Sequence, residues 1–188
     1  MMRTLAGIVV AIAMISCGLV SSLAPCAASD IALAATLQPK WSEVPWPFPM
    51  DQWGKGKAFV CKATDCGTEV TIYIRAKIGF CNCSSGVADD EELDRISDFD
   101  LLGDQLTAQA PGQAITVAWM KGRSRAFSIG GPQRIAKSAL SVGFNDRCDA
   151  IIATAVAALE SPAPIEPAVL DFLNSQTVLR WAEVTLGL

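Results

Sequence analysis

The sequence predicts an α+β fold: an antiparallel sheet with one helix after its first hairpin and a C-terminal helix packed on it, preceded by an N-terminal signal helix. Three observations support this prediction. An apolar stretch stands at the N-terminus, several strand-like segments follow it, and only isolated helical segments separate those strands. Strands interrupted by isolated helices favour α+β over a parallel α/β architecture. The chain has 188 residues, which is enough for one domain with a hydrophobic core after a leader is removed.

Residues 1–34 are predicted to be a secretory signal peptide. Arg3 is the only charged residue before Asp30, and residues 5–24 are almost wholly apolar. A positive start, an apolar centre and a small-residue cleavage site define such a signal. Ala34 completes an A-x-A site, so cleavage is expected after it, with cleavage near Ala28 as the alternative. The mature chain is therefore expected to be periplasmic or secreted.

Two other fates of this N-terminal segment stay open. Cys17 ends a sequence that loosely resembles a lipobox, and acylation of this cysteine would tether the protein to a membrane. Alternatively, residues 5–24 are retained as an anchor, because about 20 apolar residues can span a bilayer. A membrane is therefore a predicted partner only through this segment, if it is uncleaved or lipidated at Cys17.

Residues 35–56 are predicted to form an extended strap rich in proline and tryptophan, and residues 57–188 a single α+β domain. Alternating prolines between residues 45 and 49 exclude a helix in the strap. Its aromatic rings either pack over the sheet, since burial of aromatic surface is favourable, or line a binding site for a ligand or a polyproline-like segment. The possible binding residues are Trp46, Phe48 and Trp53.

The domain is predicted to begin with a hairpin. Strands over residues 57–63 and 69–78 flank the turn sequence Asp65-Cys66-Gly67. Strict alternation in the second strand predicts one buried face. That face carries Val70, Ile72 and Ile74.

A helix is predicted to start near Asp89, because Glu92 three residues later completes a capping-box pattern. Its acidic first turn suits the positive end of the helix dipole. An apolar stripe with a spacing of three residues extends this helix to residue 102, and residues 105–113 are predicted to be a loop. The stripe consists of Leu93, Ile96, Phe99 and Leu102.

The second half of the domain is predicted to be mainly strands. They cover residues 115–120, 124–129, 134–143 and 149–158. The last is predicted as a central strand because residues 150–158 carry no charge, although its alanines leave a helix as an alternative. Pro167 suits the first turn of a helix, and residues 178–188 are open to either a helix or a strand.

Three cations form a predicted turn between the first two of these strands. Lys121-Gly122-Arg123 is the expected turn, and Arg125 follows it. The three charges either lie on a solvated hairpin tip or bind an anion or a partner. Lys121, Arg123 and Arg125 are therefore possible binding residues.

Five cysteines remain after cleavage at Ala34. In an oxidising compartment such cysteines usually pair, and an odd number leaves one thiol. A bridge between Cys61 and Cys66 is geometrically easy because they flank the predicted hairpin turn, and Cys148 is then expected to pair with Cys81 or Cys83.

Two alternatives for the cysteines stay open. Cys61, Cys66, Cys81 and Cys83 could hold zinc, although a C-x-C pair is tight for one tetrahedral ion. Otherwise Cys81 and Cys83 could form a redox pair with Cys148 as the resolving thiol, although C-x-x-C is the usual motif.

Composition excludes several classes of function. The chain has no histidine, so a Ser-His-Asp or Cys-His catalytic system within it is impossible. The net charge of −4 argues against a nucleic-acid partner. No catalytic residue, cofactor or metal ligand is assigned. The expectation is an exported, non-enzymatic binding or assembly module for a protein or small-molecule partner, with a thiol-redox or metal-binding protein as the alternative.

The order of elements resembles the Mog1/PsbP/DcrB-like α/β/α sandwich group. The residues that carry this resemblance are Trp46–Trp53, the acidic helix at 89–102, Asn145-Asp146-Arg147 before Ala150–Thr154, and Pro167–Ser175. The resemblance implies a binding or assembly factor, but fold analogy alone supplies no function. The group has no requirement for cysteines, so this chain departs from it there. The sequence is also similar to uncharacterised exported proteins of alphaproteobacteria, and that similarity implies no activity.

Overall fold

An eight-stranded antiparallel sheet organises the chain in the computed structural model. The structure describes residues 38–102, 105–130, 137–159 and 162–188, and the predicted signal peptide lies outside them. The strands are β1 (Trp41–Val44), β2 (Lys57–Cys61), β3 (Val70–Lys77), β4 (Gln105–Ala108), β5 (Gln113–Val117), β6 (Met120–Gly130), β7 (Lys137–Asp146) and β8 (Asp149–Ala157).

The strand order is β1-β2-β3-β8-β7-β6-β4, with β5 also paired to β6. The long strand β6 pairs with β7 along one edge and with two strands along the other, where its first half pairs with β5 and its last residues pair with β4. The strand β8, which is uncharged after Asp149, lies between β3 and β7, which confirms its prediction as a central strand. The predicted α+β class is confirmed.

Among the described residues, four α-helices accompany the sheet: α1 (Ala63–Cys66), α2 (Asp90–Ile96), α3 (Glu166–Leu173) and α4 (Gln176–Leu186). The predicted N-cap of α2 is confirmed, since the Asp89 carboxylate accepts a hydrogen bond from the Glu92 N–H at 2.8 Å. The ambiguous C-terminal segment is the helix α4. Within the described ranges, no helix has both the length and the apolar character needed to cross a bilayer.

The helices cover both faces of the sheet. On the first face, α3 and α4 pack against the alternating apolar residues of β3, as Val169, Leu173 and Val178 join one buried cluster with Ile72 and Ile74. On the second face, Leu93 and Ile96 of α2 pack against Ala150 and Ile152 of β8. This burial explains why residues 150–157 of β8 carry no charge, since helices lie on both sides of them.

The strap contributes β1 at the edge of the sheet and then covers part of the second face. Trp46 and Phe48 pack edge-on against Tyr73, with ring centroids 6.1 and 4.8 Å away. Trp53 packs against Phe80 at 4.6 Å. The described strap rings are therefore packed against the domain, as one of the two interpretations expected.

Two predicted local structures are wrong. The predicted turn at residues 121–123 lies inside β6, and the chain turns at Ala118 and Trp119 instead. A Cβ atom at Gly122 would collide with the carbonyl oxygen of Gly143, so this glycine permits close approach of two strands and does not mark a turn. The predicted loop at 105–113 contains β4, a four-residue strand in which only Thr107 is β-branched.

The predicted helix to residue 102 is also too long, because α2 ends at Ile96. Phe99 begins a separate 3-10 turn, Phe99–Leu101. The rings of Phe99 and Phe127 pack at 4.6 Å. The apolar stripe therefore serves two separate buried clusters, and Phe99 belongs to the one around β6.

Candidate functional site

The cysteines form two bridges in the described chain. Cys61 pairs with Cys66, as expected, and Cys148 pairs with Cys83, one of its two expected partners; the Cα atoms are 6.0 and 4.2 Å apart. Two disulfides fit an oxidising, extracytoplasmic environment. The bridges use three of the four thiols that the zinc alternative requires, and the described residues contain no cluster of three or more metal-ligating side chains.

Cys81 keeps its thiol and is 6% exposed. Its Sγ donates to the carbonyl oxygen of Arg147 at 3.3 Å. Burial, reinforced by the nearby negative charge of Glu92, raises the pKa of Cys81 to about 11. Because the thiolate is the reactive form, this environment does not favour redox chemistry at Cys81.

A buried charge cluster lies under the strap. The Arg75 guanidinium donates to both carboxylate oxygens of Asp98, at 2.8 and 2.6 Å, and to Asp51 of the strap at 2.6 Å. The Lys77 ammonium reaches Asp98 at 2.8 Å and lies 5.5 Å from the ring centroid of Trp53. Two cations thus meet two carboxylates, and the hydrogen bond from Arg75 lowers the pKa of Asp51. This cluster fastens the strap to the sheet.

Two of the three cations predicted as binding residues are paired with α2. Arg125 donates to Asp94 at 2.5 Å, and Arg123 forms an ion pair with Asp90. Hydrogen bonds from the Gly112 N–H and from Arg123 lower the pKa of Asp90. Two carboxylates of α2 therefore neutralise two arginines of β6. Neither stretch of sequence predicts this pairing on its own.

Lys121 differs from the two arginines. In the described ranges its ammonium has no ion-pair or hydrogen-bond partner, and its side chain is exposed. It lines an open cleft with a volume of about 400 Å³, which we call the Lys121 cleft. The cleft is lined by Ser85, Val87, Ala88, Ala114, Ile115, Thr116, Lys121, Gly122 and Asn145.

The floor of the Lys121 cleft is the sheet itself. Lys121 pairs with Thr116 of β5 on one side and with Asn145 of β7 on the other. Two residues further along β6, Arg123 lies opposite Ala114. Since directly opposed residues in a sheet project to the same face, Thr116, Lys121 and Asn145 form one polar row, with Ala114 in the next row.

The wall of the cleft is the segment 85–88, and the sheet holds it in place. The Asn145 side-chain oxygen accepts from the Val87 N–H at 3.0 Å, and its amide group donates to the Arg147 carbonyl at 2.9 Å. Gly86 has a φ of 64° and packs so closely on Asn145 that a side chain would collide.

Two further links hold the same wall. The Cys83–Cys148 bridge joins the chain just before the wall segment to the turn between β7 and β8. Arg123 donates to the Ala88 carbonyl oxygen at 3.4 Å. The cleft is therefore preformed, and the cysteine motif and the cationic run of the sequence both contribute to it.

The Lys121 cleft combines only some of the residues expected from the sequence. The strap residues Trp46, Phe48 and Trp53 are not among those that line it. Ser85, Thr116 and Asn145 carry no individual signal in the sequence, because their proximity to Lys121 depends on strand register. Comparisons with known protein families, with curated proteins and with solved structures found no match for this chain. The resemblance to the Mog1/PsbP/DcrB-like group stays a prediction.

Proposed function

We propose that this chain is an exported, non-enzymatic binding module that holds a small molecule in the Lys121 cleft. The observation that carries this proposal is a preformed cleft of about 400 Å³ whose wall is held by Asn145, Arg123 and the Cys83–Cys148 bridge. Small-molecule sites usually have volumes of about 300–1,000 Å³ and are largely formed before the ligand binds.

The chemistry of the lining favours binding over catalysis. The described lining residues include no carboxylate and no cysteine, and the chain has no histidine. General acid–base catalysis needs a side chain with a pKa near the working pH. The lining instead offers apolar side chains, hydroxyls, an amide and one ammonium group, which suit recognition.

The proposal of export is supported from two sides. The first thirty-four residues have the charge and hydropathy pattern of a secretory signal, and the two bridges suit an oxidising compartment. Intact mass of the protein recovered from its native cells tests this point. The expected result is the mass of a chain that begins at Ala35, with four further thiols open to alkylation only after reduction. A full-length or lipid-modified chain would contradict cleavage after Ala34.

Binding is tested with a fragment library and amide chemical-shift mapping of the folded, oxidised protein. We expect fragments to shift the amide signals of Ser85, Val87 and Thr116 together. The variant Ala114→Phe fills the cleft without changing charge and should abolish these shifts. Thr107→Phe places the same ring on the exposed neighbouring strand β4 and should leave them unchanged. A library that never shifts the cleft residues, or shifts that survive in Ala114→Phe, would refute the proposal.

A further inference from the structure

We infer that the ligand of the Lys121 cleft is a small amphipathic monocarboxylate, with its carboxylate at Lys121 and its apolar part against Ala88 and Ala114. This inference rests on the proposed function, because it names the ligand class of the same cleft. It follows from the charge of the cleft, the distribution of polar groups along it, and the number of donors that it presents.

The charge of the cleft is a single positive one. Arg123 and Arg125 of β6 are neutralised by Asp90 and Asp94, whereas Lys121 has no partner in the part of the chain that the structure describes. The other described lining residues are uncharged. A concave surface lined by one sign of charge concentrates the field on ions of the opposite sign, so the cleft attracts an anion.

The polar groups lie at one end of the cleft. The row Thr116, Lys121, Asn145 crosses three neighbouring strands, while Ala114 lies one row further along and Ala88 stands on the wall beside that row. A ligand that satisfies both ends therefore has a charged head and an apolar body. The Asn145 side chain uses its oxygen for the wall and one of its two amide N–H groups for Arg147, so the other donors of the lining side chains are the Lys121 ammonium and the hydroxyls of Thr116 and Ser85.

This set of donors suits a carboxylate better than a phosphate. Phosphate sites usually gather several cations or a row of backbone N–H groups around a dianion. Here one ammonium with nearby hydroxyls offers a single charge and few donors, which matches one carboxylate. The exposed side chains of Ala88 and Ala114 provide the surface for an alkyl chain or an aromatic ring.

Three six-carbon probes of different charge test the inference: hexanoate, hexanamide and hexylamine. Each is titrated into the folded, oxidised protein, and binding is followed by the amide shifts of Ser85 and Thr116. We expect hexanoate to bind about tenfold more tightly than hexanamide, as a charge-assisted contact requires, and hexylamine to bind most weakly. Lys121→Gln should remove the preference for hexanoate. Lys137→Gln, which removes an exposed lysine of β7 outside the cleft lining, should preserve it.

The outcomes separate the two proposals. Equal or tighter binding of hexanamide or hexylamine, or an unchanged preference in Lys121→Gln, would overturn the monocarboxylate inference while cleft binding stands. If none of the probes shifts the cleft residues but the library fragments do, the ligand class is again wrong. If neither the probes nor the library shifts them, both proposals fail. Raising the salt from about 50 to about 500 mM should weaken hexanoate binding and leave hexanamide binding unchanged.

Discussion

Replacing Asp98 with asparagine tests how much the buried charges under the strap stabilise the fold. Asp98 accepts two bonds from Arg75 and one from Lys77, at 2.6 to 2.8 Å, and all three side chains are at most 6% exposed. The amide keeps the shape but leaves two buried cations opposite only Asp51, which is 39% exposed. Removal of one partner of a buried ion pair costs about 3–5 kcal/mol. We expect the free energy of unfolding to fall by this amount, a large share of the usual total of about 5–15 kcal/mol.

The assay is urea unfolding at neutral pH, followed by tryptophan fluorescence and circular dichroism. Glu43→Gln is the matched control, because it breaks the exposed pair with Lys57, whose side chains are 39% and 51% exposed, and should cost less than about 1 kcal/mol. Adding Lys77→Met to Asp98→Asn removes one unpaired cation and should restore part of the loss. Equal losses in Asp98→Asn and Glu43→Gln would refute the reasoning.

Three further predictions follow from single contacts. Cys81, with a pKa of about 11, is only about 0.1% thiolate at about pH 8, so it should resist alkylation in the folded protein and react only in denaturant; rapid labelling of the native state would contradict its burial. Cys148→Ser opens a loop of 65 residues and should lower the free energy of unfolding by about 4 kcal/mol. Cys66→Ser opens a loop of 5 residues and should lower it by about 2 kcal/mol, because a shorter loop restricts the unfolded chain less. Urea midpoints in the reverse order would exclude this explanation from loop entropy. The pKa of Asp90 is lowered by the Gly112 N–H and Arg123. The stability that Asp90 contributes is therefore present above the unfolded pKa of about 3.9 and is lost as the pH falls through the folded pKa. In Asp90→Asn the free energy of unfolding should depend less steeply on pH below about pH 4, and an unchanged slope would refute this role.

The sequence predicted best where one local rule acted without competition. The alternation of Val70, Ile72 and Ile74 matched the apolar face of β3, although Arg75 and Lys77 on its other face are buried too, and the Asp89 cap matched the start of α2. The bridge between Cys61 and Cys66 was predicted because the two flank a predicted hairpin turn, five positions apart. In each case the physical cause lies within about ten residues of chain.

Prediction failed where a distant strand decided the local structure. Gly122 resembles a turn residue, yet its small size is needed because β7 passes close to β6. The turn falls instead at Ala118, whose φ is 51° and whose N–H donates to the Asn174 side chain at 2.8 Å. The same limit applies to the Lys121 cleft, since its floor and wall come from segments far apart in sequence. Strand register, which no local pattern encodes, was needed to bring Lys121 beside Asn145.

The position of β8 between β3 and β7 has a consequence for how the chain acquires its structure. Val70 pairs with Ala157 and Lys77 with Ala150. The residues of β8 that pair with β3 therefore lie roughly 70–90 residues further along the chain, and they are synthesised on the order of 4–17 s later at usual translation rates. Until then β3 has an open edge, and α3 and α4, which cover its apolar face, come later still. Such non-local pairing slows folding. The first hairpin is therefore the segment that holding chaperones should protect, and completion of the sheet awaits the second half of the chain.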